Sequence, residues 1–515
     1  MIALLATLIV LPPLLAAAWI GIGILLGQNL GEAGEPGTAH VARSAASLSL
    51  LAVLILDLIA IFGQAPGQVR LGTWFASGDM QAAISFTLDP LGLSLATLVS
   101  LICLLTLHFS VNYLHREAAF QRAFMILSLF TGAMLLIVTA GNALLAFVGW
   151  ELAGVSSYLL IAYSYERNQA AENATRAFVT NRIGDAGFLL AIFLCLAWLG
   201  SLEWPDIAAG AAGLDSLNAG LILLAFLLPA LTKSAQIPFA GWIARALEGP
   251  TPSSAVFYGS LMVHAGVYLL IRLEPLFQQA PSLMPMVALL GLVTALYGWL
   301  SGLTQTDVKS SLMFATTTQV GLMFLECGLG WFHIAAWHLV LHAIWRAYQF
   351  LHAPALLYLT SGPARPVPRW LRTRKRLYSA ALQRFWLDPA SDWLLVRPTE
   401  QLARDIQAFD DEIVNRLVGL PGQTSAVSSL AEWEERGRGG ASKGVGQARG
   451  VLGSIVEWLA DLLYWFEERM VLRGGGEGLQ EALQHLGSYL QQIEELLSRP
   501  RYLLLLIMAT LVVIL

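Results

Sequence analysis

Charged residues are scarce in this chain. Asp, Glu, Lys and Arg make up only 13% of its 515 residues, whereas about 25% is usual for soluble domains, so a soluble fold is excluded. The chain has three cysteines, Cys103, Cys195 and Cys327, and they lie too far apart to suggest a disulfide framework, an iron–sulfur cluster or a cysteine-based zinc site. The net charge of −5 gives no sign of a nucleic-acid partner.

Apolar sequence, by contrast, is abundant, at 56% of the residues. A helix needs about 20 residues to cross about 30 Å of hydrocarbon, and stretches of that kind recur before Ser361. We therefore predict an all-α, polytopic transmembrane helix bundle of about eleven spans within a lipid bilayer. The predicted spans lie near Ala3–Leu26, Leu48–Phe62, Leu91–Phe109, Phe124–Thr139, Ala143–Tyr163, Phe178–Leu199, Leu221–Lys233, Ala255–Ile271, Pro285–Ser301, Leu312–Leu325 and Ile334–Leu359.

The positions of Lys and Arg predict how the bundle lies in the membrane. Counted back from the basic run Arg365–Arg376, the loops that hold most of the other basic residues fall on one face. The positive-inside rule makes that face cytoplasmic, although Arg70 and Arg272 fall on the opposite face. We predict a multi-pass protein of the cell (inner) membrane with its amino terminus outside.

Composition changes abruptly after Ser361, where prolines interrupt the helical pattern and charged residues become frequent. We predict a transmembrane bundle over residues 1–361 and a cytoplasmic or interfacial region of amphipathic helices over 362–500. That second region includes a flexible Gly-rich linker at 437–450, and a C-terminal span follows at 501–515. Leucines in 478–498 share one helix stripe, and the helix either packs on protein or lies on lipid headgroups.

An acidic residue, Glu151, lies well inside an otherwise apolar predicted span. A carboxylate there costs roughly 2.5–3.5 kcal/mol even on lenient scales, so it should face the bundle interior and have a partner. Lys233 is the natural partner, because it lies between Pro229 and Pro238, which break its helix at membrane depth. A nearby carboxylate could switch the proton of this lysine on or off. The alternative is a static pair that only holds helices together.

Three further charged residues, Arg176, Arg182 and Asp185, occur on the next predicted span. Asp185 is three residues after Arg182 and could share its helix face. The arginines lie near a predicted cytoplasmic end, where a long side chain reaches the interface easily, so a structural role is equally open. Asp185 is the better candidate for an ion path.

His338, His342 and Arg346 follow one another at steps of four and therefore share one face of their predicted span. The two histidines could bind a metal, but the motif contains no companion acid. We favour a proton relay, because imidazole titrates near neutral pH and has two nitrogens. His264 lies in another predicted span, and for it a hydrogen-bonded packing role is an equal alternative.

Four segments that hold these residues resemble a known family of membrane subunits. The segments are GWELAGVSSYLLIAY, TRAFVTNRIGDAGF, LTKSAQIPFAGWIARALEGPTPSSAVFYGSLMVHAGVYLLIR and TQTDVKSSLMFATTTQVGLMFLECG. From about Leu88 to Leu357 the chain is similar to the antiporter-like, proton-pumping membrane subunits of respiratory NADH–quinone oxidoreductase (subunit L type) and to their counterparts in multisubunit cation/proton antiporters.

The resemblance implies an ion path. The chain departs from the family pattern at Arg346, at His264 and at Tyr258, which stands where the family usually has a histidine, and its main bundle ends before the later spans that carry another lysine in the family. By the resemblance, the path contains Glu151, Lys233, Asp185, His338 and His342. Arg346 stands where the family usually has lysine, and arginine cannot release its proton in a protein. His264 stands where a small or hydroxyl residue is common.

The segments MVHAG and WRAYQFL in a shortened chain look most like the DabB-type membrane subunits of DAB inorganic-carbon accumulating complexes. That resemblance implies a DabA-like partner that contains zinc, while this chain conducts protons or sodium to energise uptake of carbon dioxide or bicarbonate. It implies no cofactor, no metal and no enzymatic activity in the chain itself. Two alternatives remain: a proton-translocating subunit of a respiratory complex or cation/proton antiporter, and a membrane scaffold that anchors an enzyme.

Overall fold

The computed structural model describes residues 1–77, 80–359 and 366–409. Among these residues, nine helical stretches are long and apolar enough to cross a membrane, which confirms the predicted polytopic helix bundle. Two further helices, α14 and α15 as numbered below, match the last two predicted spans before Ser361 in position and length but are less apolar.

Each predicted span in the first half of the chain overlaps a helix, but the second and sixth helices begin well before the predicted starts at Leu48 and Phe178. The helices are α1 (Ile2–Leu25), α2 (Gly31–Phe62), α3 (Pro90–Tyr113), α4 (Phe120–Thr139), α5 (Ala143–Ile161), α6 (Asn168–Leu199), the short α7 (Trp204–Ala211) and α8 (Ser216–Lys233).

The remaining helices include several short ones. They are α9 (Gly241–Arg245), α10 (Thr251–Ser253), α11 (Ala265–Arg272), α12 (Glu274–Gln279), α13 (Met284–Gly302), α14 (Val308–Gly328), α15 (Phe332–Leu359), α16 (Arg369–Thr373), α17 (Lys375–Leu382), α18 (Leu387–Ser391) and α19 (Arg397–Phe409).

Side-chain caps fix where four of the long helices begin. Asp89, Asn142, Asp215 and Asp307 each accept a hydrogen bond from the backbone N–H three residues later, at 2.8 to 3.2 Å. A cap of this kind satisfies an N–H group that has no partner within the helix. The polar residues between the predicted spans therefore act as start signals for α3, α5, α8 and α14.

A β-hairpin between α2 and α3 was not predicted. Strands β1 (Gly67–Ser77) and β2 (Met80–Leu88) pair antiparallel. Asn142 at the start of α5 donates to the carbonyl of Ala83, and the carboxylate of Glu203 accepts from Ser85. We call this end of the bundle the hairpin end.

Two of the spans are broken. Helix α8 contains Pro229 and ends at Lys233, as the sequence predicts. The freed carbonyl of Thr232 accepts a hydrogen bond from the indole of Trp242 at 3.0 Å. The second break was not predicted: the span Thr251–Arg272 contains a π-helical segment and a 3₁₀ turn before α11. Such irregular helix often marks a functional site.

The opposite end of the bundle is held by arginine–aspartate pairs, and we call it the basic end. Arg245 bonds Asp388 at 3.1 Å, and Arg176 bonds Asp392, its second contact being 2.8 Å long. Met1–Val396 forms one compact unit, whereas α19 belongs to a second unit that begins at Arg397. The predicted linker at 437–450, the helix in 478–498 and the span at 501–515 lie outside the described residues.

Candidate ion path

Four charged side chains from three helices meet inside the bundle, and we call them the charge cluster. They are Glu151 of α5, Arg182 and Asp185 of α6, and Lys233, the last residue of α8. Lys233 has no exposed surface, and Asp185 is only 4% exposed. The structure thus brings three of the predicted path residues together where α8 breaks.

Arg182 joins the two carboxylates of the charge cluster. One of its guanidinium nitrogens bonds Glu151, and the other lies 2.8 Å from Oδ2 of Asp185. The Lys233 ammonium donates to the backbone carbonyl of Trp150 at 3.1 Å and lies 5.1 Å from the centre of the Trp150 ring. Two basic and two acidic side chains therefore meet in a small region, in which Lys233 and Asp185 are buried and Arg182 and Glu151 are partly exposed.

The sequence led us to expect that Glu151 would pair directly with Lys233. In the structure the direct partner of Glu151 is Arg182, whose long forked side chain reaches two carboxylates at once. Lys233 instead hydrogen-bonds the backbone next to Glu151 and interacts electrostatically with both carboxylates. Arg182, which sequence reasoning ranked below Asp185, is thus the residue that connects the cluster.

Two glycines allow the three helices to come this close. A Cβ atom on Gly154 of α5 would lie 3.1 Å from the Lys233 ammonium and 3.3 Å from a guanidinium nitrogen of Arg182. A Cβ atom on Gly184 of α6 would collide with Thr232 of α8. Small residues of this kind are typical where membrane helices approach closely.

The charge cluster can exchange protons at three of its four groups. Arginine keeps its proton in proteins, so the groups that can change are Glu151, Asp185 and Lys233. The carboxyl groups of Glu151 and Asp185 both lie against the guanidinium of Arg182, one on each side of it. The arrangement can therefore hold a proton on either side of Arg182.

A second buried group, the histidine cluster, joins the irregular span to α15. Nε2 of His264 lies 3.0 Å from Nδ1 of His342, and the Arg346 guanidinium lies 3.4 Å from the other nitrogen of His342. All three residues are less than 9% exposed. The ring of His338, one turn earlier on α15, has its centre 6.1 Å from that of His342.

The contacts assign the protons of the two paired rings. Arg346 can only donate, so Nε2 of His342 accepts and Nδ1 of His342 carries the hydrogen. His342 then donates to Nε2 of His264, which leaves the hydrogen of His264 on Nδ1. In the described part of the chain, that nitrogen has no hydrogen-bond partner. Fixed positive charge at Arg346 thus orients the whole pair.

Sequence reasoning missed two residues of the histidine cluster. Glu326 of α14 contacts Nδ1 of His338 at 2.9 and 3.1 Å, and Gln319 of α14 contacts Nε2 of the same ring at 2.9 Å. The two are seven residues apart, on one face of α14. The sequence did contain a signal for Glu326, because this acid directly follows an apolar predicted span. The signal was not used because Glu326 lies outside the histidine motif.

The two clusters lie next to each other in the bundle. A Cβ atom on Gly266, two residues after His264, would come within 2.3 Å of the hydroxyl of Ser234, the residue after Lys233. The side-chain oxygens of Ser234 and Gln236 are buried and lack hydrogen-bond partners within the described ranges. Polar groups therefore continue from the charge cluster toward the histidine cluster.

No group of three or more His, Cys, Asp or Glu side chains in the described segments is arranged to hold a metal ion. The His338–His342 spacing that could suit a metal instead supports hydrogen bonds to Glu326, Gln319 and His264.

Two family models match this chain. Residues 140–364 match the family described as NADH:quinone oxidoreductase/Mrp antiporter, TM, and residues 74–124 match the one described as NADH-Ubiquinone oxidoreductase (complex I), chain 5 N-terminus. The first match contains both clusters.

Curated relatives are similar over the same region. NAD(P)H-quinone oxidoreductase subunit 5, organellar chromatophore 1, of Paulinella chromatophora is 36% identical over 363 residues, which cover 68% of this chain and 54% of that protein. NADH-quinone oxidoreductase subunit L of Mycobacterium tuberculosis is 36% identical over 325 residues, covering 62% of this chain and 51% of that protein. The chain spans about half the length of these relatives.

Solved structures share the fold. A chain of the Mrp complex from Dietzia sp. DQ12-45-1b aligns with a TM-score of 0.61 and 23% identity over 72% of this chain and 39% of that one. A chain of the membrane-bound sulfane sulfur reductase, an archaeal respiratory membrane complex, aligns with a TM-score of 0.60 and 20% identity over 70% of this chain and 72% of that one.

Proposed function

We propose, from the premise that this chain belongs to the antiporter-like superfamily, that it is a proton-translocating membrane subunit of the NADH–quinone oxidoreductase or Mrp antiporter type. The observation that carries the proposal is the charge cluster at the break of α8. Buried ionisable groups are expensive in a membrane, and they mark ion and proton pathways by default.

The charge cluster acts as the site that loads and unloads a proton in this proposal. Arg182 holds a permanent charge between two carboxylates, so a small movement of α6 or α8 changes which of them neutralises Lys233. Lys233 can lose its proton, whereas Arg182 cannot. A change in the Glu151 contact would thus change the affinity of Lys233 for a proton.

The histidine cluster passes the proton onward. The 3.0 Å contact between His264 and His342 is short enough for a hydrogen to move between the two rings. Arg346 supplies fixed positive charge and is not itself a carrier. The buried hydroxyl of Ser234, the residue after Lys233, lies against Gly266, two residues after His264.

Proton flux in vesicles tests the proposal directly. The full chain, reconstituted with any subunits that copurify, should dissipate or build a pH gradient. Lys233→Ala should abolish this flux in protein that still expresses and inserts, although its melting temperature should fall because Glu151 and Asp185 lose a nearby counter-charge. Replacing the pH gradient with a sodium gradient separates proton from sodium transport. Flux at wild-type levels in Lys233→Ala would contradict the proposal, and no ion flux in the intact assembly would favour a membrane scaffold.

A second candidate function is the inorganic-carbon one, with a DabA-like zinc partner. The observation that favours it is that two of the departures from the family pattern, His264 and Arg346, contact the same ring, His342. A distinct subtype with a modified histidine cluster would explain why these two changes occur together. Purification with a tagged chain, followed by identification of the copurifying protein and its zinc content, distinguishes a zinc-containing partner from other subunits of a respiratory or antiporter complex.

We also propose that the chain is a transport subunit rather than an enzyme.

The orientation of the chain in the membrane is a further proposal. The basic end would face the cytoplasm and the hairpin end the outside, because Arg176 and Arg245 lie at the basic end. Accessibility of a cysteine introduced into the hairpin at Thr73 to an impermeant thiol reagent in intact cells tests this orientation.

A further inference from the structure

Glu326 lies near the end of α14, two residues before the helix stops at Gly328. Its carboxylate contacts His338, and both side chains are partly exposed, His338 to 22% and Glu326 to 17%. The pair is therefore the partly exposed end of the polar groups that begin at His264, His342 and Arg346, which are all less than 9% exposed. The loop after Gly328 leads to Phe332, which lines a cavity together with Asp89 of the hairpin end. Glu326 is therefore on the hairpin side of the histidine cluster.

We propose that Glu326 is the terminal proton acceptor of the histidine cluster and exchanges protons with water at the hairpin end. The inference rests on the proposed function, since it needs protons to reach His342. It adds the Glu326 carboxylate as the group through which protons leave or enter that path, and it assigns Gln319 as the residue that positions His338.

The contacts around His338 are suited to a ring that gains and loses charge. Nδ1 of His338 faces the Glu326 carboxylate, which accepts, and Nε2 faces the side-chain oxygen of Gln319. Two acceptors satisfy a doubly protonated ring. When the ring is neutral, rotation of the Gln319 amide presents its NH₂ group to the bare nitrogen instead. Gln319 can thus accommodate both states without moving its helix.

The proposed step conserves atoms and charge. The rings of His342 and His338 have their centres 6.1 Å apart, and a bridging water would connect them. A doubly protonated His342 breaks one N–H bond and passes that proton through the water to the bare Nε2 of His338, whose new N–H the side-chain oxygen of Gln319 then accepts. The Nδ1–H bond of His338 then breaks as an O–H bond forms on Glu326. The resulting carboxylic acid gives its proton to water and returns to a carboxylate. The reverse sequence takes up a proton, and no oxidant or reductant takes part.

Another acid at the same end is poorly suited to this role. Asp89 accepts hydrogen bonds from both terminal nitrogens of Arg272, and a fixed guanidinium keeps a carboxylate charged. Glu326 is paired instead with an imidazole that can itself lose its charge. The other ionisable groups near His338 are His264, His342 and Arg346, which lie on its core side. Near Glu326, the further acid is Glu274 of α12, and both acids interact electrostatically with Cys327.

The pH dependence of flux in reconstituted vesicles tests the inference. We expect Glu326→Gln to lower proton flux at least about tenfold, in line with the loss of a positioned acid or base, and to remove one ionisation from the pH profile. Glu326→Asp keeps a carboxylate and should restore part of the flux and the ionisation. Gln319→Leu should shift the profile without abolishing flux. Glu274→Gln, which removes an acid at the same end, is the matched control and should leave the profile unchanged.

A second readout does not depend on flux. A carboxylic-acid infrared band that appears with pH in the wild type should be absent in Glu326→Gln and present in Glu274→Gln. An unchanged pH profile and band in Glu326→Gln, while Lys233→Ala abolishes flux, would overturn this inference and leave the proposed function standing. If neither variant affects flux, the proposed function itself fails.

Discussion

The charge cluster and the histidine cluster lie side by side but are built from different chemistry. Arg182 holds the charge cluster through ion pairs to two carboxylates, beside a lysine with no exposed surface. Hydrogen bonds between rings hold the histidine cluster, with fixed charge only at Arg346. In the proposed function this difference corresponds to two roles: the charge cluster controls whether a proton is bound, and the histidine cluster provides the route for that proton.

The two clusters also differ in their backbones. Glu151, Arg182 and Asp185 stand on regular helices, whereas His264 is placed by a π-helical segment and a 3₁₀ turn. Substitutions in the charge cluster should therefore cost both stability and flux, because they unbalance buried charges. Substitutions in the histidine cluster should cost flux with little loss of stability.

Among the variants, Arg182→Gln is expected to have the largest combined effect on proton flux and on stability. It leaves Glu151 and Asp185 without their shared counter-charge, at a cost on the order of a few kcal/mol for unpaired buried charge. We expect loss of flux together with a clear fall in melting temperature. Arg176→Gln is the control on the same helix, because Arg176 pairs with Asp392 outside the cluster. Normal flux in Arg182→Gln would show that the carboxylates need no common partner.

His342→Gln should have an equally large effect on flux but a small one on stability. Glutamine keeps hydrogen bonding in the space between His264 and Arg346 but cannot carry a proton between two nitrogens. We expect flux to fall about a hundredfold or more, as for loss of a positioned proton carrier. The measurement is flux and thermal unfolding on the same preparation. A large fall in melting temperature would place His342 among the groups that hold the fold.

Gly154→Ala should have an intermediate effect confined to the charge cluster. The added methyl group would lie 3.1 Å from the Lys233 ammonium and must push it or Arg182 aside. We expect a several-fold loss of flux, since Lys233 or Arg182 must shift by a few tenths of an ångström and groups that transfer protons depend on their exact positions. Gly220→Ala in α8 is the matched control, because its nearest atom would be at an ordinary 3.7 Å. Equal flux in both variants would contradict a tight fit at Gly154.

The smallest effect is expected for Arg346→Lys. Lysine keeps a positive charge and a donor for His342, and so preserves the assigned ring orientation, but it lacks the forked guanidinium. We expect flux within about threefold of wild type, because the pair of contacts from Arg346 is long, at 3.4 Å. Complete loss of flux in this variant would mean that both nitrogens of Arg346 are required.

The sequence predicted the charge cluster better than the histidine cluster, for a physical reason. A carboxylate or lysine inside an apolar span is costly, so Glu151 and Lys233 were conspicuous, and Pro229 marked the break. Arg182 was underestimated because its position near a helix end allows a structural role, and only the three-dimensional arrangement shows that it reaches two carboxylates.

The contacts of the histidine cluster depend on features that no local pattern encodes. The π-helical segment before His264 contains no proline, and Pro250 and Pro252 just upstream mark the start of the span and do not predict its irregular turn. Glu326 and His338 are twelve residues apart on different helices, so their contact follows from how α14 and α15 pack. The hairpin β1–β2 was missed because the membrane-span criterion detects apolar helices and passes over short strands outside the bilayer.

The most direct test of whether the two clusters form one path is the flux of the double variant Lys233→Ala/His342→Gln, compared with both single variants in the same vesicles. If the clusters act in series, each single variant already lacks flux and the double variant is no worse. If each single variant keeps a substantial part of the wild-type flux and only the double variant loses it, the clusters serve parallel routes and a single serial path is contradicted.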